Sequence, residues 1–250
     1  MVCLHGFMDT WRSWELVLPL LERRHEVLAL TLPGHAGGPP LTGAATTTAL
    51  VDAVEEALDD AGIGVAHLVG NSLGGYVALR LAARGHASTV VALAPAGGWA
   101  TGDPALHEVL KAQREIRAQA KLAAPQAPQL LRTVEGRRLA TRMITTNFEH
   151  IPAELLAHQM LGIAACTGAE TLLERAARDG WPLEAQEITC PVRFVWGTAD
   201  RLLRLPTAAA RFRAELPQAD WVLIDDCGHC PQLDVPVEAA DLILGFTSGR

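Results

Sequence analysis

Six short apolar runs, each followed by a glycine or proline and then by a helical pattern, most narrow how this chain can fold. They lie at 2–4, 27–32, 65–69, 89–93, 192–196 and 221–224. Strands buried on both faces read as continuous apolar runs, and parallel neighbours need a helical crossover between them. The crossovers are legible too. The stretch 13–24 carries Trp14, Val17, Leu18 and Leu21, and 46–60 carries Leu50, Val54, Ala57 and Leu58. After Gly70-Asn71-Ser72 the pattern repeats at Val77, Ala78, Leu81 and Ala82 until Gly85, and 237–246 reads as a closing helix. Each spacing marks one face of a helix. The expectation is an α/β fold with a mostly parallel, doubly wound sheet of about six strands.

From 97 to 187 the strand signal vanishes, and helix formers such as HEVLKAQREIRAQAK and LLERAARD take over, broken at Pro125, Pro128 and Pro152. A single crossover needs roughly 12–20 residues. This longer insertion before the last two strands is therefore expected to be a helical lid over the strand ends, where open α/β sheets bind ligands. The predicted division is a core of 1–96 and 188–250 with a lid, or cap, of 97–187.

Composition removes several classes of function. A chain of 250 residues, 49% of them hydrophobic, can bury a large core. Its net charge of −7 and its lack of a basic run remove the footprint of nucleic-acid binding. No window approaches the roughly 18 uninterrupted apolar residues of a membrane span, and the start MVCLHGFMDT lacks the pattern of a secretory signal. A cytoplasmic protein is expected. Cys3, Cys166, Cys190, Cys227 and Cys230 are odd in number and scattered, which does not suit a disulfide framework.

The strongest chemical signal is Gly70-Asn71-Ser72-Leu73-Gly74-Gly75, a G-x-S-x-G between an apolar strand and a helix. A serine on so sharp a turn needs small flanking residues, here Gly70 and Gly74. A serine hydroxyl also needs a base within reach and a carboxylate to orient that base. Asp200 follows the fifth apolar run and His229 the sixth. Asp103 is a rival for the acid, whereas Asp225 and Asp226 lie too close in sequence to His229 to fold back onto it. His5-Gly6-Phe7 follows the first run, and the backbone amides of Phe7 and Leu73 are the natural donors to a developing oxyanion. His5 and His35 are read as shaping loops. Cys227 and Cys230 flank the base as a C-x-x-C with no second pair at metal-binding spacing. No metal site is assigned, and the two thiols read as packing groups. Their oxidation would displace His229 if they were redox-active.

The stretches HGFMDTWRSW, LTLPGHAG, VGNSLGGYVAL, VVALAPAGGW, VRFVWGTADRLL and DDCGHCPQLDVP together resemble the α/β-hydrolase superfamily, in its lidded serine esterase and lipase-like branch. The order Ser72, Asp200, His229 is that superfamily's order. The resemblance implies a serine hydrolase that forms an acyl-enzyme, with Asp200 as the acid, His229 as the base and no metal or organic cofactor. Lid residues such as Leu106, Val109, Leu110, Ile116, Leu122 and Leu161 imply a small-molecule ester substrate with an apolar group. The same machinery also supports lactone opening, C–C cleavage and cofactor-free perhydrolysis. A ligand-binding, receptor-like protein with slow or no turnover is the alternative of another class.

Two departures matter. Members of the superfamily normally carry a strand hairpin before the HG segment, and this chain begins at the third strand. Either the reading frame extends upstream of Met1 or the protein works with six strands, the edge at 27–32 then being covered by rerouted chain or by a partner in a homo-oligomer. The second departure is Tyr76, where the menaquinone-pathway synthase branch carries an arginine. Serine at the elbow likewise disfavours dehalogenase and epoxide-hydrolase chemistry, which alkylates an aspartate.

Overall fold

In a computed structural model, which describes residues 1–41 and 46–248, six parallel strands form one sheet in the order β2-β1-β3-β4-β5-β6. They are β1 (Val2–Leu4), β2 (Leu28–Leu30), β3 (Ala66–Asn71), β4 (Ala87–Leu93), β5 (Val192–Gly197) and β6 (Asp220–Ile224). All six predicted strands are present. Helices α1 (Leu18–Leu21), α2 (Thr47–Asp60) and α3 (Leu73–Ala83) alternate with the first four. Helices α4 (Ala105–Ala123), α5 (Ala127–Leu130), α6 (Val134–Thr141), α7 (Ala153–Ala165) and α8 (Ala169–Asp179) all lie between β4 and β5. Helices α9 (Ala210–Glu215), α10 (Pro231–Asp234) and α11 (Pro236–Thr247) complete the chain.

Alternation along each strand builds two cores. On one face Val2, Leu4, Leu68, Val90 and Phe194 pack against α2, α3 and Phe212 of α9. On the other, Cys3, Val69, Val91, Val195 and Ile224 pack against Trp14, Val17, Leu21 and Ile243 of α11. Both faces are covered, as the unbroken apolar runs require. β2 pairs with β1 alone among the described residues, so its outer edge is unpaired in the single chain.

One predicted helix is broken. The stretch 13–24 folds as a 3₁₀ turn at Trp11–Trp14 followed by the four-residue α1. A continuous helix would drive the ring of Pro19 into the carbonyl of Glu15, whereas Pro19 fits the first turn of a helix that starts at Leu18. The other helices match their patterns, and Thr46 caps α2 by accepting the N–H of Ala49 at 3.0 Å.

Every strand runs toward the same sheet end, so the loops after β1, β3, β5 and β6 converge there. Arg80 and Tyr76 of α3 bind the chain returning from the insertion. The Tyr76 hydroxyl donates to Pro182 O at 2.7 Å, Arg80 Nη1 donates to the same oxygen at 3.0 Å, and Arg80 pairs with Glu184.

Candidate active site

Ser72 joins β3 to α3 with φ 52° and ψ −114°, a conformation that costs a non-glycine residue strain. Its surroundings hold it there. Ser72 N–H donates to Leu93 O at 2.9 Å, and Ser72 O accepts from Tyr76 and Ala96 N–H at 3.1 and 3.0 Å. A Cβ on Gly70 would lie 2.2 Å from Gly74 O, and one on Gly74 would lie 2.1 Å from Leu4 O. No side chain fits at either place. A Cβ on Gly6 would sit 3.5 Å from Ser72 Cβ, so the His5-Gly6-Phe7 loop lies directly against the elbow. Leu73 opens α3, and its N–H therefore has no intrahelical acceptor.

His229 Nδ1 lies 2.8 Å from Asp200 Oδ2, and both side chains are buried. The other carboxylate oxygen, Oδ1, accepts the N–H groups of Leu202 and Leu203 at 2.8 Å each. Asp200 is thus fixed by its own loop and accepts a hydrogen bond from the Nδ1–H of His229, which leaves a lone pair on Nε2. Ser72 and His229 line one cavity. Asp103 instead accepts the N–H of Ala105 at 2.8 Å at the start of α4, while Asp225 and Asp226 are exposed. The partner of His229 is Asp200.

His5 and His35, the two histidines read from sequence as loop-shaping, serve the scaffold. His5 Nδ1–H donates to Gly6 O at 2.7 Å, and Nε2 accepts the N–H of Leu32 at 2.9 Å. Burial and the neighbouring His35 hold its pKa well below the usual value. Burial also lowers His35 to about 4, and its ring meets that of His5 edge-on with centroids 5.0 Å apart. Cys227 and Cys230 are free buried thiols. Burial, first, and the nearby carboxylates push both thiols upward, which disfavours the thiolate.

Two residues stand out that sequence reasoning passed over. The Asn71 side-chain amide donates to Leu93 O at 3.1 Å and to His229 O at 3.0 Å. Its Oδ1 accepts from Gln232 Nε2 at 3.2 Å and from the Cys230 thiol at 3.4 Å. Asn71 thus ties the elbow to the histidine loop, and only its place inside the G-x-S-x-G could have drawn attention to it. Asp234, fully buried, accepts the N–H groups of Thr146 and Asn147 at 3.0 and 2.6 Å and binds Gly228 N–H. It pins the insertion to the loop that carries His229. Nothing in the sequence singled it out.

Two cavities meet at Ser72 and Phe7. One is walled by Leu106, Val109 and Leu110 of α4, by Leu172 and Leu173 of α8, and by Trp99. The other is lined by His229, Asn71, Asp9, Gln113 and Gln159 together with Ile116, Ile144 and Ile163. Of the apolar insertion residues expected at the site, Leu122 and Leu161 face solvent instead. They sit on the outward sides of α4 and α7. Tyr76, where an arginine would hold a substrate carboxylate, spends its hydroxyl on Pro182 and packs edge-on against Trp181 at 4.9 Å.

The profile of the alpha/beta hydrolase family matches residues 1–242. The epoxide hydrolase EphH of Mycobacterium tuberculosis is 32% identical over 205 residues, which span 80% of this chain and 94% of that protein. The pimeloyl-[acyl-carrier protein] methyl ester esterase of Aromatoleum aromaticum is 32% identical over 276 aligned positions, spanning 100% of this chain and 98% of that protein. Among solved structures, a thermophilic esterase from Thermogutta terrifontis superposes with a TM-score of 0.73 at 20% identity, covering 98% of this chain and 88% of its own. A membrane phospholipase A superposes with a TM-score of 0.77 at 24% identity, covering 99% of this chain and 78% of its own. These structural likenesses concern the fold.

Proposed function

Since the chain belongs to the alpha/beta hydrolase family, we propose that it is a serine hydrolase that cleaves a carboxylic ester through an acyl-enzyme. The observation that carries this reading is the buried His229–Asp200 pair opening onto the same cavity as Ser72, whose elbow geometry is maintained by Gly70 and Gly74. His229 Nε2 takes the proton of Ser72 Oγ as that oxygen attacks the ester carbonyl. The carbonyl oxygen becomes an oxyanion, held by the amides of Phe7 and Leu73, donors that are worth several kcal/mol in such sites. Collapse of the tetrahedral intermediate breaks the bond to the alcohol, which leaves with the proton from His229. Water then attacks the acyl group, giving its proton to His229, and Ser72 returns to its starting state. No metal or organic cofactor enters these steps.

The arms of the site take different parts of the ester. His229 lines only the polar cavity and must protonate the departing oxygen, so the alcohol lies there. The acyl group occupies the apolar cavity between α4 and α8. The insertion 97–187 acts as a lid whose underside supplies both walls. The epoxide hydrolase likeness is not carried over, because alkylating chemistry needs a carboxylate where this chain has Ser72. Lactone opening and C–C cleavage on the same residues are the second reading, supported by an elbow and base that serve any acyl transfer.

The test is initial rate on nitrophenyl esters from acetyl to palmitoyl, for the wild type and Ser72→Ala. Turnover that disappears in the variant supports the reading, and turnover unchanged by the substitution overturns it.

A further inference from the structure

The polar cavity contains two acceptors that the proposed chemistry does not use. Gln159, on α7, is buried to 5% exposure, and its amide nitrogen donates to Asp9 Oδ2 at 3.0 Å. Its Oε1 has no hydrogen-bond partner among the described residues. A buried acceptor left unpaired is costly unless something fills it. Asp9 lies in the loop that brings Phe7 to the elbow. Its Oδ1 accepts the N–H of Thr10 at 2.8 Å, and both oxygens retain free lone pairs. Both residues line the cavity that holds Ser72 and His229. The remaining wall is Asn71, whose side chain is already committed, together with Gln113 and apolar residues. Among the described residues no lysine or arginine lines it.

We propose that Asp9 and Gln159 form a specificity subsite for a hydroxyl group on the alcohol portion of the ester. The hydroxyl donates to the carboxylate of Asp9 or to Oε1 of Gln159, beyond the oxygen that His229 protonates. This rests on the reading of the site as an ester hydrolase, and on the alcohol lying on the His229 side. A purely apolar alcohol would leave Gln159 Oε1 unpaired and the Asp9 carboxylate desolvated with only the bonds from Thr10 and Gln159. Discrimination then follows from the acceptors that the wrong substrate fails to satisfy.

The cavity also shares Ile116, Ile144, Gln159 and Ile163 with a wider opening between α4, α6 and α7. A hydroxylated alcohol therefore reaches Gln159 at the junction of the two spaces. The acyl arm, in contrast, carries Gln113 and Thr47 as its polar wall residues besides Ser72.

The experiment compares 2-hydroxyethyl and propyl esters of one acid, with the acyl length fixed at the optimum of the nitrophenyl series. The two alcohols have nearly the same size, and released acid is titrated. In the wild type the hydroxyethyl ester is expected to have a kcat/KM at least about tenfold higher, as a hydrogen bond to a charged acceptor implies. In Asp9→Asn and in Gln159→Leu, made separately, the ratio falls toward one. Because the ratio is taken within each protein, a general loss of activity or fold cancels. Equal rates on the two esters in the wild type, with both abolished by Ser72→Ala, overturn the subsite and leave the hydrolase reading standing. A preference that survives both substitutions also overturns it. Hydrolysis of neither ester brings down the reading and the subsite together.

Discussion

The side-chain amide of Asn71, the residue immediately before Ser72, donates to the backbone carbonyl of His229 at 3.0 Å across 158 residues of sequence. Two loops from different strands are thereby fixed to each other, one carrying Ser72 and the other His229. The same side chain reaches Leu93 on β4, so one amide joins three strand ends.

Asn71→Leu keeps the size of that side chain and removes all of its hydrogen bonds. We expect kcat to fall roughly 10–100-fold, because a small misplacement of a base is costly. Unfolding in denaturant should change much less than for a core truncation. A kcat equal to that of the wild type would show that the amide does not position His229.

Asp200→Asn leaves the 2.8 Å contact sterically possible but offers His229 Nδ1 an amide instead of a carboxylate. The imidazole then loses its fixed tautomer. Activity on a nitrophenyl ester should drop by roughly 10³–10⁴-fold, while Asp103→Asn should leave it within a few-fold. The reverse ranking, measured by steady-state rates, would transfer the acid role to Asp103.

Asp9 gives a prediction about stability. Desolvation in the cavity raises its carboxyl from 3.8 to about 6, offset in part by the hydrogen bonds from Thr10 and Gln159. A raised carboxyl pKa means that the folded state holds the proton more tightly than the unfolded chain. Its favourable contribution is complete below about pH 3.8 and is lost as pH rises through about 6. The loss is at most about 3 kcal/mol, less where cavity water screens the charge. Relative to wild type, Asp9→Asn should therefore gain stability between pH 4 and pH 8, read from urea unfolding at both values. A pH-independent difference would contradict the buried ionisable state of Asp9.

Gly74→Ala should destabilise the fold by about 3 kcal/mol or prevent soluble expression, because the new Cβ would lie 2.1 Å from Leu4 O. Gly62→Ala tests a contrasting place, since nothing lies within 4 Å of its Cβ and the cost there arises from a φ of +70° alone. Thermal unfolding followed by circular dichroism should separate the two.

The strands were legible because burial on both faces writes each one as an unbroken apolar run, and the elbow because its glycines are forced by backbone contacts. The sequential order of Ser72, Asp200 and His229 was legible for the same reason: each lies just past a strand. What the sequence could not reveal is set by contacts between distant segments. The choice of Asp200 over Asp103 depends on which loop faces His229. The break at Pro19 depends on a local clash weighed against apolar spacing that suits a longer helix. Asn71 acquires its contacts only when the loop carrying His229 meets the elbow, and Asp234, Asp9 and Gln159 acquire theirs only when the insertion is packed over the sheet ends, while Leu122 and Leu161 turn outward in the same step.

The most direct test of the account is the site of covalent capture. The protein is incubated with a fluorophosphonate, digested and analysed by mass spectrometry, in parallel with Ser72→Ala and with His229→Ala. One adduct is expected, on the peptide carrying Ser72, absent from the first variant and formed far more slowly in the second. An adduct on another residue, or an intact elbow serine in a protein that turns over esters, would contradict it.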